Sequence, residues 1–555
     1  MHPTRLSAIL SLLLASTVAG QWFFDPPPTV TLDNATFTGT SSSQNTDSFL
    51  GIPYAQPPVG DLRLRLPVRI ANYTGNFSAT AYGPWCMQHE MSLAQPISFP
   101  TLGVFYVNST TAVTSAAGTA EDCLTVNVIR PNTATPSSQL PVVFWIYGGG
   151  FGIGGATFNG DGQVIVERSI AMGQPVIWVS LNHRLAAYGF LASEEIRAAG
   201  VGNLGLQDQR EALRWVQRYI GSFGGDPTKV TLWGLSSGAI SASFQMLTNG
   251  GNNEGLFCAA VMQSGAPLPV GGVEEGQAYY DDMVARTGCT NAPDTLECLR
   301  AVPGPEFKAA QDALPGFFAY QGLCGYPFFP HHDGTFLVDN PQALVRQGSV
   351  ANVPFISSSC DDEGTGFSVD CPNNVTTEAD FQKYLKDVCF KKADNSTIAQ
   401  LAALYPADIP SGSPFNTSYN NALTPQFKRI AALVGDTLFQ APRRFFQNAL
   451  SGKQIQWTCL SKRVKDTPIV GSNHASDLPI AFGGELTDYV INLATNLDPN
   501  GETVPGWPER RAEAPNILVF LDTFLGLGPR TKIDQDTYRE DQMKALMALE
   551  LQYPV

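Results

Sequence analysis

The chain has 555 residues, of which 43% are hydrophobic and 15% are charged, and its formal net charge is −15. Nucleic acids and anionic membranes attract basic surfaces, so this charge argues against either of them as a partner. The apolar fraction supports a large core, and the 52 Gly and 40 Pro residues are typical of a loop-rich globular enzyme rather than a disordered chain.

The N-terminus has the pattern of a secretion signal. Arg5 supplies a positive charge, residues 6–15 form a short apolar segment, and small residues follow at 17–20. The apolar segment is too short to span a bilayer, and the sequence offers no second candidate for a transmembrane segment. We therefore expect residues 1–20 to be a signal peptide and the protein to be extracellular; the alternative is a buried N-terminal helix.

Secretion permits both disulfides and N-glycosylation. The chain contains ten cysteines, an even number that fits a set of disulfides. It also contains seven Asn-x-Ser/Thr sites, which are candidates for glycosylation. These sites are Asn34, Asn72, Asn76, Asn108, Asn374, Asn395 and Asn416.

The clearest predicted elements lie between residues 140 and 270. Apolar runs bounded by turn residues predict strands, and apolar residues three and four positions apart predict helices. Because strands alternate with helices, we expect an α/β fold with a large, mostly parallel central sheet flanked by helices. In chain order the predicted elements are strands at 141–147 and 176–182, a helix over 206–220, a strand at 230–233, a helix over 239–246 and a strand at 257–262.

The segment Gly234-Leu235-Ser236-Ser237-Gly238 joins one of these strands to the next helix. A serine on a sharp strand-to-helix turn projects its hydroxyl outward, and larger side chains at the flanking positions would collide. The helix that follows directs its N–H groups and its positive dipole end toward that hydroxyl. This arrangement resembles the nucleophile elbow of α/β-hydrolases, although the five-residue pattern alone is a weak signal.

The base that activates a serine hydroxyl is usually a histidine, and in this fold the chain order is serine, acid, histidine. Three of the six histidines follow Ser236. His474 lies in a loop of small residues, from which an imidazole can reach a site. His331 and His332 are adjacent, but no further ligand cluster is nearby, so we expect no metal there. The histidines excluded by their position are His2, His89 and His183.

Two further groups complete the candidate site. Asp361, Asp362 and Glu363 follow an apolar run at 353–356, and any of the three fits the acid that orients the histidine. The Gly148–Gly150 triplet follows a predicted buried strand and offers backbone N–H groups that can stabilise an oxyanion. The alternatives are a solvated acidic turn and a flexible glycine loop.

These residues occur in a larger pattern that resembles the type-B carboxylesterase/lipase family, which includes cholinesterases and fungal lipases. The resemblance is nearly full length, and its ordered blocks are far more specific together than any one of them. The blocks are Phe49–Pro58, Glu121–Leu124, Trp145–Phe151, Gly202–Gln209, Phe223–Pro227, Gly234–Gly238, Met262–Pro267, Asp362–Thr365, His474–Pro479 and Trp507–Pro508.

The resemblance implies an α/β-hydrolase fold in a single domain over residues 21–555. It implies Ser236 as the nucleophile, Glu363 as the acid and His474 as the base, without a metal or a cofactor. The implied oxyanion donors are the backbone N–H groups of Gly149, Gly150 and Ser237.

The resemblance also implies two disulfides, Cys86–Cys123 and Cys289–Cys298. The first closes loop 86–123, which in related fungal lipases is a lid with an apolar inner face. The pairing of the other six cysteines stays open. These are Cys258, Cys324, Cys360, Cys371, Cys389 and Cys459.

The chain departs from the family pattern in four ways. One of them, Ser237 in place of the usual alanine, should be harmless because the contact is made by the backbone N–H. Leu235 replaces the usual glutamate before the nucleophile, and the stretch between residues 110 and 121 lacks the tryptophan with which cholinesterases bind choline. Both departures argue against a cationic substrate. His183 replaces a usual tyrosine, and nothing in the sequence explains that change.

We therefore expect a secreted serine hydrolase that cleaves apolar carboxylic esters, such as acylglycerols or sterol esters, through an acyl-enzyme. Its partners would be small-molecule esters, including those in lipid aggregates at an oil–water interface. One alternative is an esterase for short-chain or aromatic esters, such as feruloyl esters, without activation at an interface. The alternative from another class is a non-catalytic adhesion protein on the same fold.

Overall fold

The computed structural model describes residues 26–42, 45–90, 117–317, 319–320, 323–369, 374–523 and 530–554. Four predictions concern residues outside these ranges: the signal peptide, most of the lid loop, glycosylation at Asn108 and the pairing of Cys371. Among the described residues, no helix is long and apolar enough to cross a membrane.

Strands in the described ranges form one sheet of eleven strands and one of three. In the large sheet the strand order is β14-β13-β12-β11-β10-β9-β7-β8-β6-β4-β3, and the small sheet has the order β1-β2-β5. The strands are β1 (Thr29–Leu32), β2 (Asn34–Thr38), β3 (Thr40–Ser41), β4 (Thr46–Pro53), β5 (Thr74–Ser78), β6 (Thr125–Pro131), β7 (Leu140–Ile146), β8 (Ile177–Leu181), β9 (Gly225–Leu235), β10 (Ala259–Gln263), β11 (Phe355–Cys360), β12 (Gln456–Lys462), β13 (Asn516–Leu521) and β14 (Thr531–Gln535).

The central strands from β8 to β13 are parallel, and antiparallel strands extend the sheet at both edges. The α-helices are α1 (Gly162–Ala171), α2 (Ala186–Phe190), α3 (Glu194–Ala198), α4 (Leu204–Tyr219), α5 (Ser237–Leu247), α6 (Gln277–Arg286), α7 (Thr295–Ala301), α8 (Gly304–Asp312), α9 (Pro341–Gln347), α10 (Glu378–Tyr384), α11 (Asn395–Leu404), α12 (Phe427–Gly435), α13 (Ala441–Leu450), α14 (Leu478–Ala481), α15 (Glu485–Asn496) and α16 (Glu540–Gln552).

The predicted mostly parallel sheet flanked by helices is confirmed, and the six elements predicted between residues 140 and 270 are all present. The largest difference is in β9, which begins at Gly225 rather than near residue 230. Gly225 pairs with Leu140 at the start of β7, so tertiary pairing extends the strand. Asp226 and Pro227 are poor strand formers, and the local sequence therefore gives no sign of this extension.

Two apolar layers cover the two faces of the sheet. Alternate residues of β7 point to opposite faces, so that Phe144 and Ile146 join one cluster and Trp145 joins the other. Helices α4 and α5 contribute to the first cluster, and α1 and α15 to the second. In the second cluster the ring centroids of Trp145 and Trp233 are 5.4 Å apart, and the Trp233 ring stacks on Phe482 at 5.2 Å. These contacts hold β7 and β9 in fixed register below the site.

A buried ion cluster joins the residue that follows β14 to helix α13. Asp536 is buried, and its carboxylate accepts hydrogen bonds from both Nη atoms of Arg443 at 2.9 Å and from Arg444 Nη2 at 2.7 Å. Burial alone would raise the pKa of Asp536, but the guanidinium of Arg443, with those of Arg444 and Arg510, holds it well below its usual range. The cluster therefore requires the ionised carboxylate.

We expect Asp536→Asn to lower the free energy of unfolding by about 3–5 kcal/mol, because it leaves buried guanidinium groups without their counter-charge. The folded pKa of Asp536 lies below its unfolded value of about 3.9. Its contribution is thus fully present above that value and is lost as the pH falls through the folded pKa. Urea unfolding at pH 7 and at decreasing pH measures both effects.

Asp534→Asn is the matched control, because Asp534 forms an ion pair with Lys532 in which both side chains are about half exposed. Such pairs contribute at most about 1 kcal/mol. Equal destabilisation by the two variants would contradict the role of the buried cluster.

Candidate active site

The turn between β9 and α5 has the geometry of a nucleophile elbow. Ser236 has φ 58° and ψ −124°, a conformation that is strained for a residue with a side chain. A Cβ atom on Gly234 would lie 2.1 Å from the carbonyl oxygen of Gly238, and one on Gly238 would lie 2.0 Å from that of Ile146. Glycine is therefore required at both positions, and the turn holds the Ser236 hydroxyl at the carboxyl end of the central strands.

Three side chains from separate segments form a hydrogen-bonded chain at this turn. Ser236 Oγ lies 2.8 Å from His474 Nε2, and His474 Nδ1 lies 2.5 Å from Glu363 Oε2. The tautomer that satisfies both partners carries its proton on Nδ1. The other oxygen of Glu363 accepts a hydrogen bond from the Cys360 N–H at 2.6 Å. Glu363 and His474 are buried, and Ser236 is partly exposed. This arrangement can remove the proton from the serine hydroxyl.

The acidic cluster after β11 divides into two parts. Glu363 points to His474, whereas Asp361 and Asp362 each accept a hydrogen bond from Lys465 Nζ at 2.6 Å. The position of the acids after an apolar run leaves all three open, because it does not show which carboxylate has a cationic partner, whereas the family resemblance implies Glu363. The contact with Lys465 separates them.

Two aromatic rings that the sequence analysis missed contact the imidazole. The ring centroid of His474 lies 4.6 Å from that of Phe439 and 5.0 Å from that of Phe367. Phe439 belongs to the helical segment between α12 and α13, and Phe367 follows the acid in the chain. Single apolar residues of this kind carry no motif, so only their position in space reveals them.

The glycine loop after β7 lies beside the elbow because β7 and β9 are neighbours, with Ile146 in register with Gly234. Gly149 has φ 114° and Gly150 has φ 60°, conformations that favour glycine. A Cβ atom on Gly150 would lie 1.7 Å from the ring of Phe317. The loop thus meets the geometric requirement that its backbone, without side chains, lines the space next to Ser236.

A small cavity lies in front of the serine. It encloses about 280 Å³ of empty space, part of it open to solvent. Apart from the serines and the glycine loop, its lining is hydrophobic, as expected for a site that takes an apolar group. The lining residues are Gly150, Phe151, Ser236, Ser237, Ile240, Leu268, Phe329, Leu438 and Phe439.

The residue before Ser236 lies in an apolar part of the core. Leu235 is buried in the same apolar cluster as Trp233 and Ala475. Asp477 is buried as well, and burial together with the nearby charge of Glu363 raises its pKa to about 6. Leu235 therefore adds no carboxylate to this part of the core.

We expect Leu235→Glu to move the acidic limb of the pH profile of kcat/KM to higher pH, because a nearby negative charge stabilises the imidazolium. The new carboxyl is buried, so the variant should also unfold more readily. Leu235→Gln is the matched control, since it has the same shape without the charge. Identical acidic limbs in the two variants would show that a charge at position 235 does not affect the protonation of the imidazole.

The remaining predicted residues lie apart from this chain of hydrogen bonds. The backbone N–H of His331 donates to Asn203 Oδ1, and the backbone N–H of His332 donates to Gly271 O. The loops around them therefore fix both residues. Within the described ranges, no group of three or more His, Cys, Asp or Glu residues is placed to hold a metal ion. His183 is buried and stacks on Tyr147 with ring centroids 4.6 Å apart, which gives its planar ring a structural role.

Both disulfides implied by the resemblance are present, Cys86–Cys123 and Cys289–Cys298. In the described part of the chain, Cys258, Cys324, Cys360 and Cys459 are thiols. Six of the seven glycosylation candidates are exposed, and glycosylation itself stays a prediction. They are Asn34, Asn72, Asn76, Asn374, Asn395 and Asn416.

Comparison with known proteins identifies the family. The family model described as the carboxylesterase family matches residues 26–490. The chain is 41% identical to Lipase 4 of Diutina rugosa, covering 94% of this chain and 95% of that protein, and 40% identical to Secreted lipase 1 of Botryotinia fuckeliana, covering 90% of each. The crystal structure of Aspergillus niger EstA superposes with a TM-score of 0.79 at 26% identity, covering 96% of this chain and 99% of that one. With the α/β-hydrolase fold and the elbow, these matches show that the chain belongs to the carboxylesterase family and is a carboxylic ester hydrolase.

Proposed function

We propose that the protein is a secreted, lipase-like serine hydrolase that cleaves apolar esters through an acyl-enzyme. The observation that carries this proposal is the hydrogen-bonded chain from Ser236 through His474 to Glu363, which ends in an apolar cavity. Secretion is supported by the names of relatives such as Secreted lipase 1 and by the two disulfides.

In the proposed reaction, His474 accepts the proton of Ser236 as Oγ attacks the ester carbonyl carbon. Glu363 holds the imidazole in the required tautomer and stabilises it once it is protonated. Backbone N–H groups of Gly149, Gly150 and Ser237 stabilise the oxyanion. His474 then gives its proton to the alcohol, which leaves, and a water molecule attacks the acyl-enzyme by the same steps to release the acid.

Three features favour an apolar substrate. Hydrophobic side chains such as Leu268, Phe329 and Leu438 line the cavity. Leu235 leaves no carboxylate next to the nucleophile for a cationic substrate to contact. Several relatives are named lipases. Together these features favour the acyl chains of lipids over charged or strongly polar groups.

The experiment that tests this substrate class compares p-nitrophenyl esters of increasing acyl length. We expect kcat/KM to rise from the acetate to medium and long chains, because each buried CH₂ contributes about 0.8 kcal/mol in an apolar site. A maximum at the acetate, or a clear preference for feruloyl esters, would instead support the alternative esterase. No turnover of any ester would support the non-catalytic alternative.

We also propose that loop 86–123 is a lid. The Cys86–Cys123 disulfide closes this loop, and its middle carries Phe99 and Phe105, which lie outside the described residues. An apolar inner face would cover the site in water and lie in lipid at an interface. Burial of two or three such side chains there supplies roughly 4–8 kcal/mol, enough to reverse a closed-to-open preference of a few kcal/mol.

If the loop is a lid, replacing Phe99 and Phe105 together with serine should lower activity on emulsified triacylglycerol more than activity on a dissolved short ester. The ratio of the two activities is the measurement. An equal loss on both substrates would indicate that the two rings belong to a fixed core, and the lid proposal would have to be abandoned.

A further inference from the structure

Asp362, the residue before the proposed acid, is fully buried, with 0% of its surface exposed. Its carboxylate accepts four hydrogen bonds. Its Oδ2 accepts from Lys465 Nζ at 2.6 Å and from the Ser472 N–H at 2.9 Å. Its Oδ1 accepts from Ser413 Oγ at 3.0 Å and from the Phe415 N–H at 2.8 Å. One side chain thus ties together three segments that are distant in sequence.

Two of those segments carry proposed catalytic groups. Asp362 is adjacent to Glu363, and Ser472 comes two residues before His474. The backbone adds to the connection, because the Asp362 N–H donates to Ser472 O at 3.0 Å and Asp362 forms a parallel bridge with Asn473. The acid and the base are therefore held relative to each other through Asp362 as well as through their own contact.

The loop that carries the histidine is shaped for this carboxylate. Gly471 has φ 58°, and a Cβ atom there would lie 2.4 Å from Asp362 Oδ2. Only glycine allows the loop to approach the carboxylate so closely in this conformation.

Asp361 provides a comparison within the same turn. Its carboxylate also accepts a hydrogen bond from Lys465, and it lies 3.6 Å from Lys462. Its backbone N–H donates to Ser461 at the end of β12 rather than to the histidine loop. Asp361 thus shares the burial and the cationic partner of Asp362 but lacks the carboxylate contact with the segment before His474.

We infer that Asp362 is a positioning residue for ester hydrolysis, one that fixes the distance between Glu363 and His474 by binding the loops that carry them. Its carboxylate is engaged by four donors and touches neither the substrate cavity nor the reacting atoms. The inference rests on the proposed function, since it assumes that Glu363 and His474 act as acid and base.

The test is Asp362→Asn, with Asp361→Asn as the matched control. The amide keeps the shape but turns an NH₂ group toward one pair of donors, so the loop before His474 is held less firmly. A displacement of about 1 Å can cost up to about 100-fold, so we expect kcat on a dissolved short ester to fall about 10- to 100-fold with KM within about twofold. In Asp361→Asn we expect kcat to fall less than about threefold.

Two readouts separate positioning from simple destabilisation. The low-field proton resonance of the His474–Glu363 hydrogen bond should shift or broaden in Asp362→Asn and stay unchanged in Asp361→Asn. If Asp362→Asn does not fold, Ser413→Ala removes one donor to Oδ1 and should lower kcat about three- to tenfold in a folded protein. Equal losses in the two Asn variants, or a wild-type kcat and resonance in a folded Asp362→Asn or Ser413→Ala protein, would overturn the inference.

Reaction of the wild-type enzyme with an alkyl p-nitrophenyl phosphonate distinguishes a failure of the positioning role of Asp362 from a failure of the proposed function. If Ser236 is labelled and Asp362→Asn has the wild-type kcat and proton resonance, only the positioning role of Asp362 is contradicted. Absence of labelling at Ser236 would contradict the proposed function and, with it, the positioning role of Asp362.

Discussion

Replacing Ser236 with alanine is expected to lower kcat for ester hydrolysis by about 10⁴- to 10⁶-fold while the protein stays folded. The hydroxyl is the only part of the side chain that the substitution removes, and the strained turn is held by Gly234 and Gly238 rather than by the hydroxyl. Without Oγ no acyl-enzyme can form at the end of the hydrogen-bonded chain. Initial rates on a p-nitrophenyl ester, with circular dichroism as the check on folding, measure the effect.

The control for this variant is Ser243→Ala in the same helix. Ser243 is buried, and its hydroxyl donates to the carbonyl of Ile240 within α5, so its loss should leave kcat within a few-fold of the wild type. If Ser236→Ala kept more than a few per cent of wild-type activity, the assignment of the nucleophile would be wrong.

The second large effect is expected at His474. Alanine at this position removes the base, and kcat should fall by about 10⁴- to 10⁶-fold, as for the nucleophile, because the two groups act as a unit. Glu363→Gln keeps the imidazole but offers an N–H where the carboxylate accepts from Nδ1, which disfavours the required tautomer. A smaller loss, of about 10²- to 10⁴-fold, is expected there.

The order of these effects can be checked with single-turnover kinetics on all three variants. Asp361→Asn serves as the control for Glu363→Gln, because its carboxylate contacts Lys465 rather than the imidazole. If Asp361→Asn were as damaging as Glu363→Gln, the hydrogen bond between Glu363 and His474 would not explain the loss.

The sequence was informative wherever function depends on local conformation. The elbow could be predicted because both of its glycines lie within five residues of each other. A Cβ atom at either position would lie about 2 Å from a backbone oxygen, so the sequence must contain glycine there. The glycine loop could be predicted because it follows a continuous apolar strand. Helix α4 was recognised from its spacing of buried residues, and its bounds differ by at most two residues from those expected.

The parts that sequence reasoning missed depend on contacts between distant segments. The local sequence alone does not distinguish Glu363 from Asp361 and Asp362. The family resemblance implies Glu363, and in space Lys465, about a hundred residues further along the chain, contacts the other two acids. Phe439 contacts the imidazole from a helical segment without any motif. The early start of β9 reflects pairing with β7, and no local propensity encodes it.

The most direct test of the central claim is mass spectrometry of the enzyme after reaction with an alkyl p-nitrophenyl phosphonate, which mimics the tetrahedral state of ester cleavage. We expect one phosphonate per protein, located on Ser236, with loss of activity in proportion to labelling. The adduct should be nearly absent in His474→Ala, and a longer alkyl chain should react faster because the cavity beside Ser236 is apolar. Complete inactivation with the adduct on another residue, or full activity after quantitative labelling of Ser236, would contradict the account.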